Sequence, residues 1–303
     1  MIDFLDKMAL TPEKLNLEPE YLIPGFLPKR MITMYWADGG NAKTWLSYGT
    51  AAYLCENNLC KALYYFDLDN PLDTLKERKV EDLLMKRYPQ MRYIHRSDLD
   101  QPALETIERL ASKENSRHHA YEDIVFIIDS VRNVAGIKND DKAMYIMNLF
   151  MDIREAGGTV LLLAHSNKDG KNYEGSNNLK NSVDVMFREE LLHKIQDINV
   201  TVGLTPGKER SGIRKCDFTI DVRTLAMSEA DPVLTRMSKA EEEFVDKVKK
   251  ALKENPDGLN KTEMLTKAGF KKTDKTASGM LDKYTGIFWQ KEELNSRNFR
   301  YFL

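Results

Sequence analysis

The 303-residue chain is poor in cysteine: Cys55, Cys60 and Cys216 are the only three, and none has metal-ligand spacing. A set that is sparse and odd in number argues against a disulfide framework and reads as the reduced thiols of a cytoplasmic protein. No stretch reaches 18 consecutive apolar residues, which excludes a membrane-spanning helix of the usual kind. The opening residues MIDFLDKMAL have neither the basic start nor the apolar run of a signal peptide, so a cytoplasmic protein with no membrane partner is expected. An excess of one charge is missing too. With 45 basic and 47 acidic side chains the net charge is −2, so any nucleic-acid surface must be local. Internal repeats and low-complexity tracts are absent. What remains is 42% hydrophobic and 30% charged, enough to bury a sizeable core and to exclude global disorder. The length suits one large domain followed by a small one.

Residues 1–20 read as a linker or docking segment. Pro24, Gly25 and Pro28 in YLIPGFLPKR (21–30) forbid regular structure and predict a turn into the core. Strands and helices then alternate: MITMYW, a glycine loop, and a helix from Lys43; KALYYFDL (61–68) and a helical run over 71–88; a strand at Met91–His95 and a helix over 102–113; DIVFIID (123–129), a helix over 141–157, and GTVLLLAHS (158–166). Continuous apolar strands between helices imply a mostly parallel sheet covered on both faces, an α/β fold. Three further strand-like runs, 183–192, 198–206 and 215–223, are expected to be antiparallel at the sheet edge. The core therefore spans 21–226. The periodicity lapses around Pro232, and 227–239 is read as a linker. Residues 240–303 offer three helices and a terminal hairpin turning at Asn295-Ser296, the element order of a winged helix-turn-helix domain.

The strongest motif is Ala37-Asp38-Gly39-Gly40-Asn41-Ala42-Lys43-Thr44, between a buried strand and a helix. A phosphate-binding loop needs inward backbone N–H groups, a helix N-terminus, a lysine for the β- and γ-phosphates and a hydroxyl for Mg²⁺. Asp38 to Ala42 would supply the first, Lys43 and Thr44 the last two, with Trp45 completing the ATP-binding segment. Alanine stands at 37 and 42, where the GxxxxGK[ST] pattern has glycine. Asp129 ends a buried strand about 85 residues after Thr44, as a carboxylate that holds Mg²⁺ does. Asp67 and Asp69 end another strand, placed to orient a water or to form the turn before Pro71. His165 ends a third. Residues at the C-terminal ends of separate strands converge on the crevice where open α/β sheets bind ligands.

The order of these motifs resembles the RecA/DnaB superfamily of ATPases, and most closely its RepA-like hexameric helicase branch. The resemblance spans residues 21–223 and is carried by YLIPGFLPKR, ADGGNAKT, IVFIIDS, LLLAHSNKDG with the following Gly-Ser loop, and GKERSG (207–212). It implies a RecA-like core in which Lys43 and Thr44 hold phosphate and Mg²⁺, and Asp129 is the Walker B aspartate. It further implies Asp69 as the catalytic carboxylate, one methylene shorter than the family's glutamate, and His165 as the sensor. Lys208 and Arg210 fall where the family supplies a lysine and an arginine finger to the neighbouring subunit's nucleotide.

In such rings the loops after the Walker B and sensor strands line a channel. Here these are Ser130–Asp141, with Arg132 and Lys138, and Ser166–Asn178, with Lys168 and Lys171; neither shows an apolar pattern. Residues 260–303 carry nine basic against five acidic side chains, and the expected recognition helix Lys271–Tyr284 presents Lys272 and Lys275. The hairpin adds Lys291, Arg297 and Arg300 beside aromatic residues. The expectation is an ATP- and Mg²⁺-dependent helicase or translocase of a phage or plasmid-type replication system. It would act on single-stranded DNA as a homo-oligomeric ring, a hexamer, in association with a primase or polymerase. The competing reading is a nucleotide-binding assembly or loader module that scarcely hydrolyses ATP.

Overall fold

The computed structural model describes residues 6, 8–12, 18–117, 119–210, 212–295 and 298–303. Most of the expected docking segment 1–20, together with Arg297 of the hairpin, lies outside these. The chain divides into two compact units, Met1–Thr235 and Arg236–Leu303.

The first unit is built on a nine-stranded sheet. Its strands are β3 (Ile32–Ala37), β4 (Ala62–Asp67), β5 (Met91–His95), β6 (Ile124–Asp129), β7 (Thr159–His165), β8 (Val185–Ile195), β9 (Asn199–Lys208), β10 (Cys216–Asp221) and β11 (Met227–Ala230). A two-stranded pair, β1 (Tyr21–Ile23) and β2 (Leu27–Pro28), precedes them. The spatial order β11-β10-β9-β8-β3-β7-β6-β4-β5 is parallel from β8 to β5 and antiparallel from β8 to β11. Helix α1 (Lys43–Glu56) connects β3 to β4, α2 (Leu72–Glu77) follows β4, and α3 (Ala103–Leu110) and α4 (Lys113–Arg117) precede β6. Helix α5 (Asp140–Glu155) lies between β6 and β7, α6 (Asn177–Ser182) precedes β8, and α7 (Pro232–Thr235) closes the unit.

The continuous apolar strands are buried on both faces, and the period of two sorts them. On one face Tyr35, Leu63, Tyr65, Ile127, Leu161 and Phe187 pack with Leu46, Ala51 and Leu54 of α1. On the other, Met34, Trp36, Phe126, Ile128, Val160 and Leu162 pack with Ile146, Met147 and Phe150 of α5. Gly49 lets α1 lie close against the antiparallel strands, since a Cβ there would stand 3.0 Å from Ile220 Cγ1.

Four sequence expectations for this unit need correction. The run 183–192, expected antiparallel at the sheet edge, forms β8, which lies inside the sheet and pairs in parallel with β3 as well as antiparallel with β9. Residues 227–230, read as linker, form β11 by pairing with β10. The helical run over 71–88 is broken at Lys79, whose φ of 55° turns the chain into a π-helical turn at Glu81–Met85, with Leu75, Val80 and Leu84 all buried. The loop after β6, read as lacking an apolar pattern, buries Val131, Val134 and Ile137 in the second core; a spacing of three residues is easily missed beside so many polar ones.

The second unit contains α8 (Lys239–Lys253), α9 (Lys261–Lys267), α10 (Lys275–Lys283) and a three-stranded sheet in the order β12 (Leu259–Asn260), β14 (Asn298–Phe302), β13 (Gln290–Asn295). Reciprocal capping boxes, Ser238 with Glu241 and Asn260 with Glu263, fix the starts of α8 and α9. Trp289 is buried and donates its indole N–H to the Leu281 carbonyl at 3.2 Å, so this aromatic belongs to the core rather than to a surface. The expected helix over 271–284 starts only at Lys275, because Asp274 caps it by accepting from the Ala277 N–H. Lys271 and Lys272 therefore precede the helix, exposed, and Lys275 opens it.

Phe26, in the turn that Pro24 and Gly25 predict, is fully buried against Tyr35, Phe187 and Phe218. Phe26→Ala is expected to destabilise the first unit by about 3–5 kcal/mol, read from urea unfolding.

Candidate active site

Strand β3 ends at Ala37, the loop Asp38–Ala42 turns, and α1 begins at Lys43. Two residues make the turn with positive φ, Gly40 at 83° and Ala42 at 70°. Glycine takes that region freely, but in alanine the Cβ crowds the backbone at a cost of about 1–2 kcal/mol. Ala42 thus holds the phosphate-loop conformation in spite of its side chain. The Lys43 ammonium is buried and donates two protons to the carbonyls of Ala37 (2.9 Å) and Asp38 (2.8 Å), which leaves the third for a phosphate. Its burial lowers the lysine pKa, against the pull of nearby carboxylates. Tyr35 supports the start of the helix by donating to the Lys43 carbonyl at 2.9 Å.

Ordered pairing of β4 with β6 sets Asp67 opposite Asp129. Asp129 is buried, accepts from Thr44 Oγ1 and from the Tyr65 hydroxyl, each at 3.2 Å, and is followed by a cis peptide to Ser130. Burial, reinforced by Asp67 and Asp69, pushes its pKa up to about 7. Asp67 is fully buried and is the turn former of the pair: it accepts from the N–H groups of Asp69 and Asn70 and from the Tyr93 hydroxyl. Asp69 instead reaches the cleft. Its carboxylate accepts from Asn133 Nδ2 at 2.8 Å and Arg132 Nη2 at 3.2 Å, and Nε2 of His165 stands 3.3 Å away, close but out of line for a hydrogen bond. The His165 ring, then the Asn133 and Arg132 bonds, hold the Asp69 carboxyl well below the usual carboxylate range.

These groups surround one cleft of about 380 Å³, whose walls include Gly39, Gly40, Lys43, Thr44, Asp69, Asp129 and His165. Ala42 and Trp45 line it as well. Asp38 and Asn41 do not: the Asp38 carboxylate turns to the loop after β7 and accepts from the Ser166 hydroxyl, and Asn41 donates its N–H to the Asp38 carbonyl. Lys208 and Arg210 lie outside the cleft. Lys208 Nζ donates to the last carbonyls of α6, Lys180 and Asn181, and Arg210 meets Asp184 at 3.3 Å. Arg132 and Lys138, expected as free cations of a channel loop, are paired within the chain, both of them with Glu174. Lys168 and Lys171 are exposed on a segment closed by the Ser166–Tyr173 bridge.

Three site residues escaped the sequence reading. Arg78 and Lys194 line the cleft, Arg78 with its guanidinium 5.6 Å above the Trp45 ring. Both arrive from elements whose path to the cleft only the tertiary fold defines. Glu189 of β8 is buried, and neither of its oxygens has a hydrogen-bond partner among the described residues. Burial drives its pKa up, against the attraction of Lys43. Its neighbours Arg188 and Glu190 give the strand a charged run that hides the one buried member from pattern reading.

A family model described as AAA domain matches residues 13–171, just over half of the chain, and the chain belongs to that family. Residues 13–171 of its first unit thus carry the AAA domain, a P-loop ATPase class that uses ATP and typically Mg²⁺. Among solved structures, that of flagellar accessory protein FlaH from Methanocaldococcus jannaschii is similar with a TM-score of 0.47 at 13% identity, covering 74% of this chain and 97% of that one. No curated protein matches the chain. Among the described residues no helix is long and apolar enough to cross a membrane.

The donors at the site suit Mg²⁺. Thr44 and Asp129 are hard oxygen ligands side by side, 3.2 Å apart and open to the cleft. A carboxyl whose folded pKa is raised destabilises the fold increasingly as pH climbs from its unfolded value to the folded one, and by a constant amount above that. Asp129→Asn is therefore expected to raise the melting temperature in metal-free buffer at pH 8 and to change it little at pH 4. Ala42→Gly is expected to stabilise the first unit by about 1 kcal/mol, by relieving the left-handed alanine; chemical denaturation measures it.

Proposed function

We propose that the protein is an ATP-dependent DNA helicase or translocase of a phage or plasmid-type replication system, hydrolysing ATP between the subunits of a ring. The observation that carries the reading is the cleft, where Lys43, Thr44, Asp129, Asp69 and His165 arrive from four neighbouring strand ends. The loop N–H groups and the free proton of Lys43 take the β- and γ-phosphates. Thr44 and Asp129 hold Mg²⁺, which when bound offsets the charge of the phosphates. Asp69 orients the attacking water, and His165, beside it, meets the γ-phosphate as a sensor. Trp45 and Arg78 wall the cleft beyond the phosphate loop.

Among the described residues, the lysines and arginines that line the cleft are Lys43, Arg78 and Lys194. A guanidinium for the transferred phosphoryl group must then come from Arg78 or from a neighbour, and the half-exposed Arg210, with Lys208, is the pair the family resemblance offers in trans. That requirement favours a homo-oligomeric ring, in keeping with the hexameric branch. Single-stranded DNA is the proposed track, met by the loops carrying Arg132, Lys138, Lys168 and Lys171. The second unit, read as a winged helix, adds Lys272 and Lys275. A primase or polymerase is the partner such a motor serves.

A second reading, an assembly or loader module with little turnover, is favoured by two observations: the strained alanine at 42 and the short carboxylate Asp69, already engaged by Arg132 and Asn133. Steady-state ATP hydrolysis with Mg²⁺, with and without single-stranded DNA and across protein concentration, separates the two. Turnover stimulated by DNA and rising with assembly supports the helicase; tight nucleotide binding without turnover supports the module. Lys43→Ala is expected to abolish nucleotide binding. Arg210→Ala is expected to spare binding and to lower turnover on the order of 10³-fold; full activity in that variant would remove the trans-finger assignment.

A further inference from the structure

Beside the nucleotide cleft lies a second concavity of about 410 Å³, walled by Arg132, Asn133, Lys138, Asn139, Lys142 and Glu174 together with Ala135, Gly136 and Ile137. Three of these nine are cations and one is an anion. The loop after β6 forms most of it, and Glu174, from the segment after β7, closes it. Glu174 is fixed there: its N–H donates to the His165 carbonyl at 2.7 Å, and its carboxylate meets Lys138 at 2.7 Å and Arg132 at 3.7 Å. One side chain belongs to both hollows. Arg132 lines the basic concavity, yet its Nη2 lies 3.2 Å from Asp69 Oδ1 in the nucleotide cleft. Its neighbour Asn133 adds the 2.8 Å bond to the same oxygen.

This arrangement has a chemical consequence. A carboxylate orients and activates water in proportion to its freedom to accept a hydrogen bond and to its basicity. Asp69 Oδ1 already accepts from a guanidinium and an amide, and the carboxylate carries the attraction of a neighbouring cation. It is a poorer acceptor for water than a free carboxylate. Arg132 is 40% exposed, so phosphates entering the basic concavity compete for it directly with Asp69 and Glu174. Arginine forks suit phosphate and carboxylate oxygens alike.

We propose that Arg132 is a positioning residue that restrains Asp69, and that the phosphodiester backbone of single-stranded nucleic acid, bound in the concavity of Arg132, Lys138 and Lys142, draws Arg132 away and releases the carboxylate for hydrolysis. The proposal rests on the ATPase reading above and adds to it the residue through which the second ligand acts. Asn133 is the weaker half of the restraint, because its amide is neutral and has no comparable attraction to phosphate.

The test compares ATP turnover of the full chain, its Arg132→Ala variant and its Asn133→Ala variant, with and without a single-stranded oligothymidylate. In Arg132→Ala the rate without DNA is expected to rise roughly three- to tenfold, as a base regaining its basicity would give. Stimulation by DNA is expected to fall by a similar factor, and KM for ATP to change little. In Asn133→Ala the unstimulated rate rises in the same direction while stimulation persists, since Arg132 remains. An unstimulated rate in Arg132→Ala that is unchanged or lower, or stimulation equal to that of the unaltered protein, overturns the proposal; the first result would mean that Arg132 supports Asp69 rather than restraining it. Should Arg132→Ala fail to fold, Asn133→Ala decides alone, an unraised rate counting against the restraint. Absence of nucleotide binding and turnover in the unaltered protein is a different failure, that of the ATPase reading itself.

Discussion

The parallel pairing of β3, β7, β6 and β4 governs the rest of the molecule, because its register decides which strand ends meet. Ala37 stands opposite His165, and Asp67 opposite Asp129, so the phosphate loop, the sensor histidine and two carboxylates leave the sheet at one level. A slip of one residue in any of these strands would turn its apolar side chains onto the wrong face. Since both faces are packed, by α1 on one side and α5 on the other, such a slip is heavily penalised. The site is therefore held in place by the two cores beneath it rather than by its own polar contacts.

Those contacts sort the acids by role. Asp67 is saturated by its turn and by Tyr93; Asp129 is short of donors and shares Thr44 with the phosphate loop; Asp69 is crowded by Arg132, Asn133 and His165. Glu189, beneath the loop, is buried with no partner among the described residues. Four acids in and just beyond one sheet thus experience four environments. Their charges respond to burial and neighbours far more than to the residue type.

Much of this was legible in the sequence. The alternation of buried strands and helices, the antiparallel pairing of the three runs after residue 183 with one another, and the phosphate loop follow from local pattern, because period and turn chemistry are local properties; that the first of these runs also joins β3 in parallel does not. Local pattern left Asp67 and Asp69 alike as turn former or site residue; the fold separates them, with Asp67 closing the turn and Asp69 lining the cleft. What pattern reading missed is what depends on distant partners. The strand at Met227–Ala230 exists because β10 offers an edge. Arg78 and Lys194 enter the cleft only after the chain has folded across it. Arg132 and Lys138 read as free cations, but Asp69 and Glu174 neutralise them. The start of α10 moved to Lys275 because the cap at Asp274 outweighed the helical pattern before it.

The tether on Asp38 has a wider meaning. The phosphate loop is joined to the segment after β7 through Ser166, and Gly170 packs so closely that a Cβ there would stand 2.9 Å from the Asp38 carboxylate. The two loops are thus in direct contact. A ligand that changes the affinity for nucleotide through residues 166–173 has its own affinity changed by nucleotide by the same factor. Traffic between the two surfaces is reciprocal by thermodynamic necessity, whichever of them is occupied first.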